Sequence, residues 1–308
     1  MPSMHELVRA NKRNTWVLIF VFMLIIAALG LLIGALIGRG DWTSGLIGAG
    51  AAGIIAFFVV LIGFRKGDRV ILAMSGARQI QHDDNPRLFN AVEEMSIAAG
   101  TPMPRVYIID DSAPNAFATG RDPEHASVAI TRGLLDKLNR DEVQGVMAHE
   151  MSHVKNYDIK FAMLMSILVG LVVLVCDVFL RSLRHIRLSG GRSRGKGGGL
   201  VMLGLFLVTI IFALIAPILA KIIQLAVSRQ REYLADASAA ELTRYPAGLA
   251  SALEKIQADR EPLEVANRAT QHLYIVNPIM KLKGRKGTSM WSTHPPLDER
   301  VKRLREMK

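Results

Sequence analysis

The stretch His149-Glu150-Met151-Ser152-His153 is the one on which the reading of the whole chain depends. Two histidines four apart on a helix project from one face, about one turn apart, within reach of a single metal ion. The glutamate beside the first histidine is then placed to act as a base on a water at that metal. The pattern is H-E-x-x-H, that of a hydrolytic zinc site. Taken alone, it also fits an ordinary helix that carries two histidines, so its surroundings have to decide.

The surroundings predict a helix. Asn139 and Glu142 form an N-cap and N3 pair just ahead of the motif. Val143, Val146, Met147 and Val154 recur at helical spacing. Gly145 weakens that helix slightly and leaves room for another backbone, or a substrate, to come close.

Further out, the chain is 308 residues long, 50% apolar, and carries a net charge of +11. Its apolar residues concentrate in four long blocks, which marks an integral membrane protein rather than a large soluble core. In such a protein a basic excess serves topology and contact with the anionic lipid of the bilayer. No nucleic-acid motif accompanies it, and no nucleic-acid partner is expected. The single cysteine, Cys176, excludes an intramolecular disulfide and a cysteine-based zinc site.

The first two blocks, Trp16 to Gly38 and Ser44 to Phe64, are uncharged and separated by a five-residue connector, so they read as a tight transmembrane hairpin. Basic residues flank it, and its Gly and Ala content permits close helix packing. A globular stretch follows. It predicts a helix over about 86–99, strands at 105–109, 115–120 and 127–131, and a short helix over 133–138 before the motif. The third block, Phe161 to Leu180, and the fourth, Leu200 to Ala220, enclose a basic Gly-rich segment, 181–199, whose role is open. Residues 222–257 read as helical with a break near Pro246 and Gly248, 262–290 are weakly patterned, and an amphipathic helix follows Pro295-Pro296.

A catalytic zinc usually has three protein ligands and one open position. Downstream, Glu232 and Asp236 lie four apart, so they share a helix face. Glu232 can ligate the metal, and Asp236 can hold a ligating histidine through its other ring nitrogen. An isolated E-x-x-x-D is more simply the wet side of an amphipathic helix; coupled to an upstream H-E-x-x-H it gains weight.

With these residues together, the chain resembles the HtpX-type membrane zinc metalloproteases, relatives of the CAAX prenyl proteases. The resemblance runs along nearly the whole chain. It rests on the N-terminal hairpin, Asn115-Ala-Phe-Ala118, His149 to His153 with Asn156 and Asp158, the second hairpin, Ser228 to Asp236, and Ser292-Thr-His-Pro-Pro296. It implies one zinc ion per chain held by His149, His153 and Glu232, with Glu150 as general base. It also implies that Asn115, Ala116, Phe117 and Ala118 hold the substrate backbone, and that His294 lies near the zinc, where it is the candidate oxyanion donor.

The expected fold is therefore an α+β zincin-like metalloprotease domain attached to transmembrane helices, mainly α with a small β-sheet. Its parts are a hairpin over 1–64, a first catalytic part over 65–160, a second hydrophobic hairpin over 161–220 and a second catalytic part over 221–308. The expected function is a zinc endopeptidase that cuts misfolded or damaged membrane proteins, a substrate class taken from the resemblance. A processing protease for lipidated tails and a non-catalytic metal-binding scaffold are the alternatives. Basic residues near the span ends, such as Arg13, Arg65 and Arg69, favour a site on the cytoplasmic side, while the six Lys and Arg of 181–199 leave two readings of the second hairpin, spanning or re-entrant; the expected membrane is a bacterial or archaeal inner membrane.

Overall fold

In a computed structural model of the chain, the described residues are 4–182, 198–226, 229–259, 261, 263, 273–275 and 295–307. Most of the basic Gly-rich segment, most of the weakly patterned stretch after 262, and His294 lie outside them.

Two long helices open the chain, α1 (Met4–Ile37) and α2 (Trp42–Met74). The turn between them is made possible by left-handed backbone at Arg39 and Gly40 (φ 55° and 91°). Glycines set how closely the two helices approach. A Cβ on Gly48 would lie 2.3 Å from the Gly30 carbonyl oxygen, and one on Gly34 would lie 2.5 Å from the Ser44 carbonyl oxygen. Without a hydrophobic driving force in lipid, such small-residue contacts are the main way helices adhere.

Among the described residues, three helical segments are long and apolar enough to cross a membrane: Arg13–Ile37, Trp42–Met74 and Asp158–Arg181. The last belongs to α6 (Asp158–Ser182). The fourth apolar run of the sequence falls in α7 (Gly198–Ala226), where Phe206–Ile218 is a shorter apolar segment.

The chain divides into two compact units. One, Trp16–Ile62 with Ile167–Ile223, is helical and apolar. The other comprises Met1–Thr15, Gly63–Ser166 and Gln224–Lys308, and carries the sheet and the H-E-x-x-H helix. Its sheet has four strands: β1 (Ala77–Gln79), β2 (Arg105–Ile109), β3 (Ala116–Gly120) and β4 (Ala126–Thr131). Their order is β1-β2-β4-β3, so β3 is an edge strand. β2 and β4 run parallel, with Tyr107 opposite Ala129; β1 and β3 are antiparallel to their neighbours. The expected strands at 105–109, 115–120 and 127–131 correspond to β2, β3 and β4. The sequence reading missed β1, which has three residues and no alternation to read.

Helix α3 (Pro86–Ala99) begins with an Asn85 cap and Pro at its first position and ends on left-handed Gly100. Helix α4 (Arg132–Lys137) is capped by Thr131. Helix α5 (Arg140–Lys155) starts with the expected capping box, in which Asn139 and Glu142 each take the other's backbone N–H. It packs against α3, against β3, and against α8 (Arg229–Thr243) and α9 (Pro246–Ala258). A last helix, α10 (Leu297–Glu306), packs on α8 and α9. Val106, Ile108, Val128 and Ile130 of the sheet share one core with Leu88, Val92 and Met95 of α3 and with Val143, Val146 and Met147 of α5.

Candidate active site

Helix α5 is buried nearly throughout, and that burial is what places the motif. His149 and Glu150 are sealed from solvent, and His153, one turn on, is partly exposed. Gly145 lets α5 lie directly on α9, since a Cβ there would meet the Leu249 backbone nitrogen at 2.7 Å. Helix α8 lies against the same helix and brings Glu232 to the histidines.

Three donor atoms converge. His149 Nε2 and His153 Nε2 are 3.2 Å apart. Glu232 places Oε2 3.6 Å from the first and Oε1 3.7 Å from the second. Among the described residues, His149, His153 and Glu232 form the one group of this kind able to hold a metal, with ligand atoms all within 4.8 Å of one another. A four-coordinate zinc with ligands at about 2.0–2.1 Å sets neighbouring ligand atoms about 3.3 Å apart. The two nitrogens already have that spacing, and the carboxylate needs to move by only a few tenths of an ångström. The donor set therefore fits a single cation.

Each histidine is gripped from behind. Asp236 Oδ1 is 3.0 Å from His149 Nδ1, and Asp158 Oδ2 is 3.1 Å from His153 Nδ1. With Nδ1–H donated to a carboxylate, each ring turns Nε2 towards the shared point. Asp158 is held in turn by Arg231, at 3.5 Å.

The residue the sequence reading missed is Arg300. Its guanidinium is fully buried, donates to both Asp236 oxygens at 2.7 and 2.8 Å, and lies 3.4 Å from Glu232 Oε2. It also reaches the Ile275 carbonyl at 3.4 Å. A signal was available. Arg300 falls in the apolar stripe Leu297, Val301, Leu304 of an amphipathic helix, where an arginine has no reason to be unless something inside receives it.

These neighbours set the protonation of the site. Burial works against a charged His149 imidazole, but hydrogen bonds to Asp236 and Glu232 outweigh it and raise its pKa to about 9 with only protein groups around it. A metal must displace that proton in order to bind. Burial pushes Asp236 up, but the charge of Arg300 and hydrogen bonds from His149 and Arg300 overcome it and hold the carboxyl at about 2. Glu150 is raised, chiefly by burial and against the pull of both histidines.

Edge strand β3 approaches the motif from the side. Thr131 N–H donates to the Asn115 carbonyl, so the alternation of an antiparallel pair turns the backbone groups of Asn115 and Phe117 towards β4 and those of Ala116 and Ala118 outwards. The outward backbone N–H of Ala118 is near enough to Glu150 to favour its charged form slightly. The Ala116 carbonyl is taken by Ile275 N–H, and Tyr274 stacks edge-on against Phe117 with ring centroids 5.1 Å apart. Of the four residues expected to hold a substrate backbone, then, Ala116 and Ala118 face outward, and the chain itself covers Ala116. His294 lies outside the described residues.

Comparison with known proteins places this site in a family. Residues 82–308 match the model of Peptidase family M48. The protease HtpX homologue of Tropheryma whipplei strain Twist is 46% identical over 304 residues, covering 99% of this chain and 98% of its own. That of Dictyoglomus thermophilum is 44% identical over 305 residues, covering 99% and 95%. That of Listeria monocytogenes strain CLIP80459 is 41% identical over 307 residues, covering 98% and 99%. The crystal structure of S. mikatae Ste24p is similar over 82% of this chain and 57% of that one, at 22% identity and a TM-score of 0.48. With a family match over most of its length and such relatives end to end, the chain belongs to peptidase family M48 and is a membrane metalloprotease.

Proposed function

We propose that His149, His153 and Glu232 hold one zinc ion per chain, that Glu150 is the general base, and that Asp236 and Asp158 orient the two histidines. The observation that carries this reading is the meeting of three donor atoms, within a few tenths of an ångström of the spacing a tetrahedral ion needs, beside a buried glutamate that is not needed to bind metal. When bound, zinc supplies Lewis-acid activation of a water and of the peptide carbonyl.

The chain's own residues do the rest. Glu150 has a raised pKa, which brings it nearer the range in which a carboxylate can both take a proton from water and return it to the leaving amine. Packing of α5 on β3 sets that carboxylate beside the outward edge of the strand, where the Ala118 N–H favours its charged form. An extended peptide pairing with the outward groups of β3, beyond the stretch covered by Ile275, would lie along that edge with its backbone recognised and its side chains little tested. His294 is the proposed donor to the oxyanion, on the strength of the sequence resemblance.

Weak side-chain selection suits misfolded or damaged membrane proteins as substrates. The distribution of basic residues around the first hairpin supports a site on the cytoplasmic face of a bacterial or archaeal inner membrane.

The test compares wild type with Glu150→Gln for metal content and for proteolysis of an unfolded casein-type substrate. The variant should keep its zinc and lose turnover by about 10²–10⁴-fold. Turnover close to wild type would remove Glu150 from the role of base, and loss of metal would show it to be a structural part of the site.

A further inference from the structure

A second charged site lies away from the metal ligands. Where α2 leaves its apolar run it carries Arg65, Asp68 and Arg69, which share one helix face by their spacing. That face, together with Arg105 at the start of β2 and the turn from Arg121 to Ala126, lines a cavity of about 290 Å³. Four arginines against Asp68 and Glu124 leave the lining with a net positive charge.

Two of those arginines are committed. Arg105 pairs with Asp68. Arg121 is 3.4 Å from Asp122 and 2.6 Å from His125 Nε2, while His125 Nδ1 is 2.5 Å from the same aspartate. Arg65 and Arg69 are different: both are exposed, and among the described residues neither is in an ion pair. Like charges one turn apart on a helix repel, and with Asp68 paired to Arg105 a further anion between them would relieve that repulsion. The cavity is near the lower end of small-ligand sites, which suits a headgroup-sized anion rather than a whole lipid.

Position narrows the chemistry. Arg65 is the first charged residue after the uncharged run Ser44 to Phe64 of α2, the level at which bilayer phosphates are met. Two guanidinium forks facing one cavity match phosphate oxygens better than a single carboxylate. We propose that this cavity binds a phosphate group through Arg65 and Arg69, presented by an anionic phospholipid headgroup or as free phosphate.

The test uses the full chain purified in a neutral detergent. It is titrated with dioctanoyl phosphatidylglycerol, dioctanoyl phosphatidylcholine and inorganic phosphate, and bound ligand is counted by native mass spectrometry. Wild type should take one phosphatidylglycerol per chain at this site. Arg65→Gln/Arg69→Gln should weaken it on the order of tenfold or more, as loss of charge-assisted hydrogen bonds requires. Glu124→Gln should tighten it, a gain that misfolding cannot produce. Arg132→Gln, an exposed arginine paired with Asp110 outside the cavity, should change nothing. Proteolysis of a soluble unfolded substrate by the double variant in neutral detergent should equal wild type.

Competition by inorganic phosphate at similar concentration identifies free phosphate as the ligand; its failure to compete identifies the headgroup, and either result supports the site. Phosphatidylcholine binding as tightly as phosphatidylglycerol would overturn it, as would undiminished binding in the double variant. Should the double variant not fold, an unchanged affinity in Glu124→Gln would overturn it equally.

Discussion

Arg300 Nη2 lies 2.7 Å from Asp236 Oδ1, and both side chains are sealed from solvent. Asp236 in turn holds His149, and Arg300 also lies 3.4 Å from Glu232 Oε2, so the last helix is tied to the metal site through two carboxylates. Arg300→Gln would leave Asp236 buried without its main counter-charge. Breaking a buried pair from one side costs about 3–5 kcal/mol. We expect a lower melting temperature in detergent and a weaker hold on metal. Arg300→Lys should rescue little, because an ammonium cannot make the paired contact to both Asp236 oxygens. A thermal shift and zinc content equal to wild type would show that the pair carries no weight.

Glu232→Ala should lose metal together with activity, since two histidines alone hold zinc weakly. Asp236→Ala and Asp158→Ala should each do less, on the order of 10–100-fold in metal affinity or activity, as expected when the partner of a ligating histidine is removed. Competition with a fluorescent chelator measures all three. Equal metal affinity in Glu232→Ala and wild type would move the third ligand elsewhere.

Gly145→Ala tests the packing that sets α5 on α9. In an open helix this change would stabilise by up to about 1 kcal/mol. Here the added methyl meets the Leu249 backbone nitrogen at 2.7 Å, and backbone cannot swing aside as a side chain can. Overpacking costs about 1–3 kcal/mol, so the sign should reverse and the protein should melt at a lower temperature. A higher melting temperature would show that the two helices separate freely at this point.

Orientation is testable by cysteine labelling in intact cells after Cys176→Ala. Thr43→Cys, in the first turn of α2 next to the α1–α2 connection, should react with a membrane-impermeant reagent, and Ser238→Cys, on α8 beyond the metal ligand, should be shielded. The opposite pattern would place the site outside the cytoplasm.

Local sequence accounts for much of what is seen. The bounds of α3 were readable from Pro86 and Gly100, and the start of α5 from Asn139 and Glu142, because caps satisfy backbone groups within a few residues. Strand β1 was not readable: three residues carry no period, and only their pairing with Tyr107, Ile108 and Ile109 makes them a strand. The outward and inward faces of β3 were likewise hidden, since they depend on which of its residues bonds to β4.

What the sequence determined by itself is the chemistry on offer. His149 and His153 share a helix face because 3.6 residues make a turn, and the uncharged runs are long enough to cross a bilayer because each residue rises 1.5 Å. What only the tertiary structure decided is which groups meet. Glu232 stands 79 residues beyond His153 and reaches it because α8 packs on α5. Arg300 reaches Asp236 because α10 packs on α8. Ile275 covers Ala116 through one backbone hydrogen bond between segments far apart in the chain. Helical periodicity fixes neighbours within a turn or two; contacts over longer separations follow from how apolar faces bury one another, and no local pattern records them.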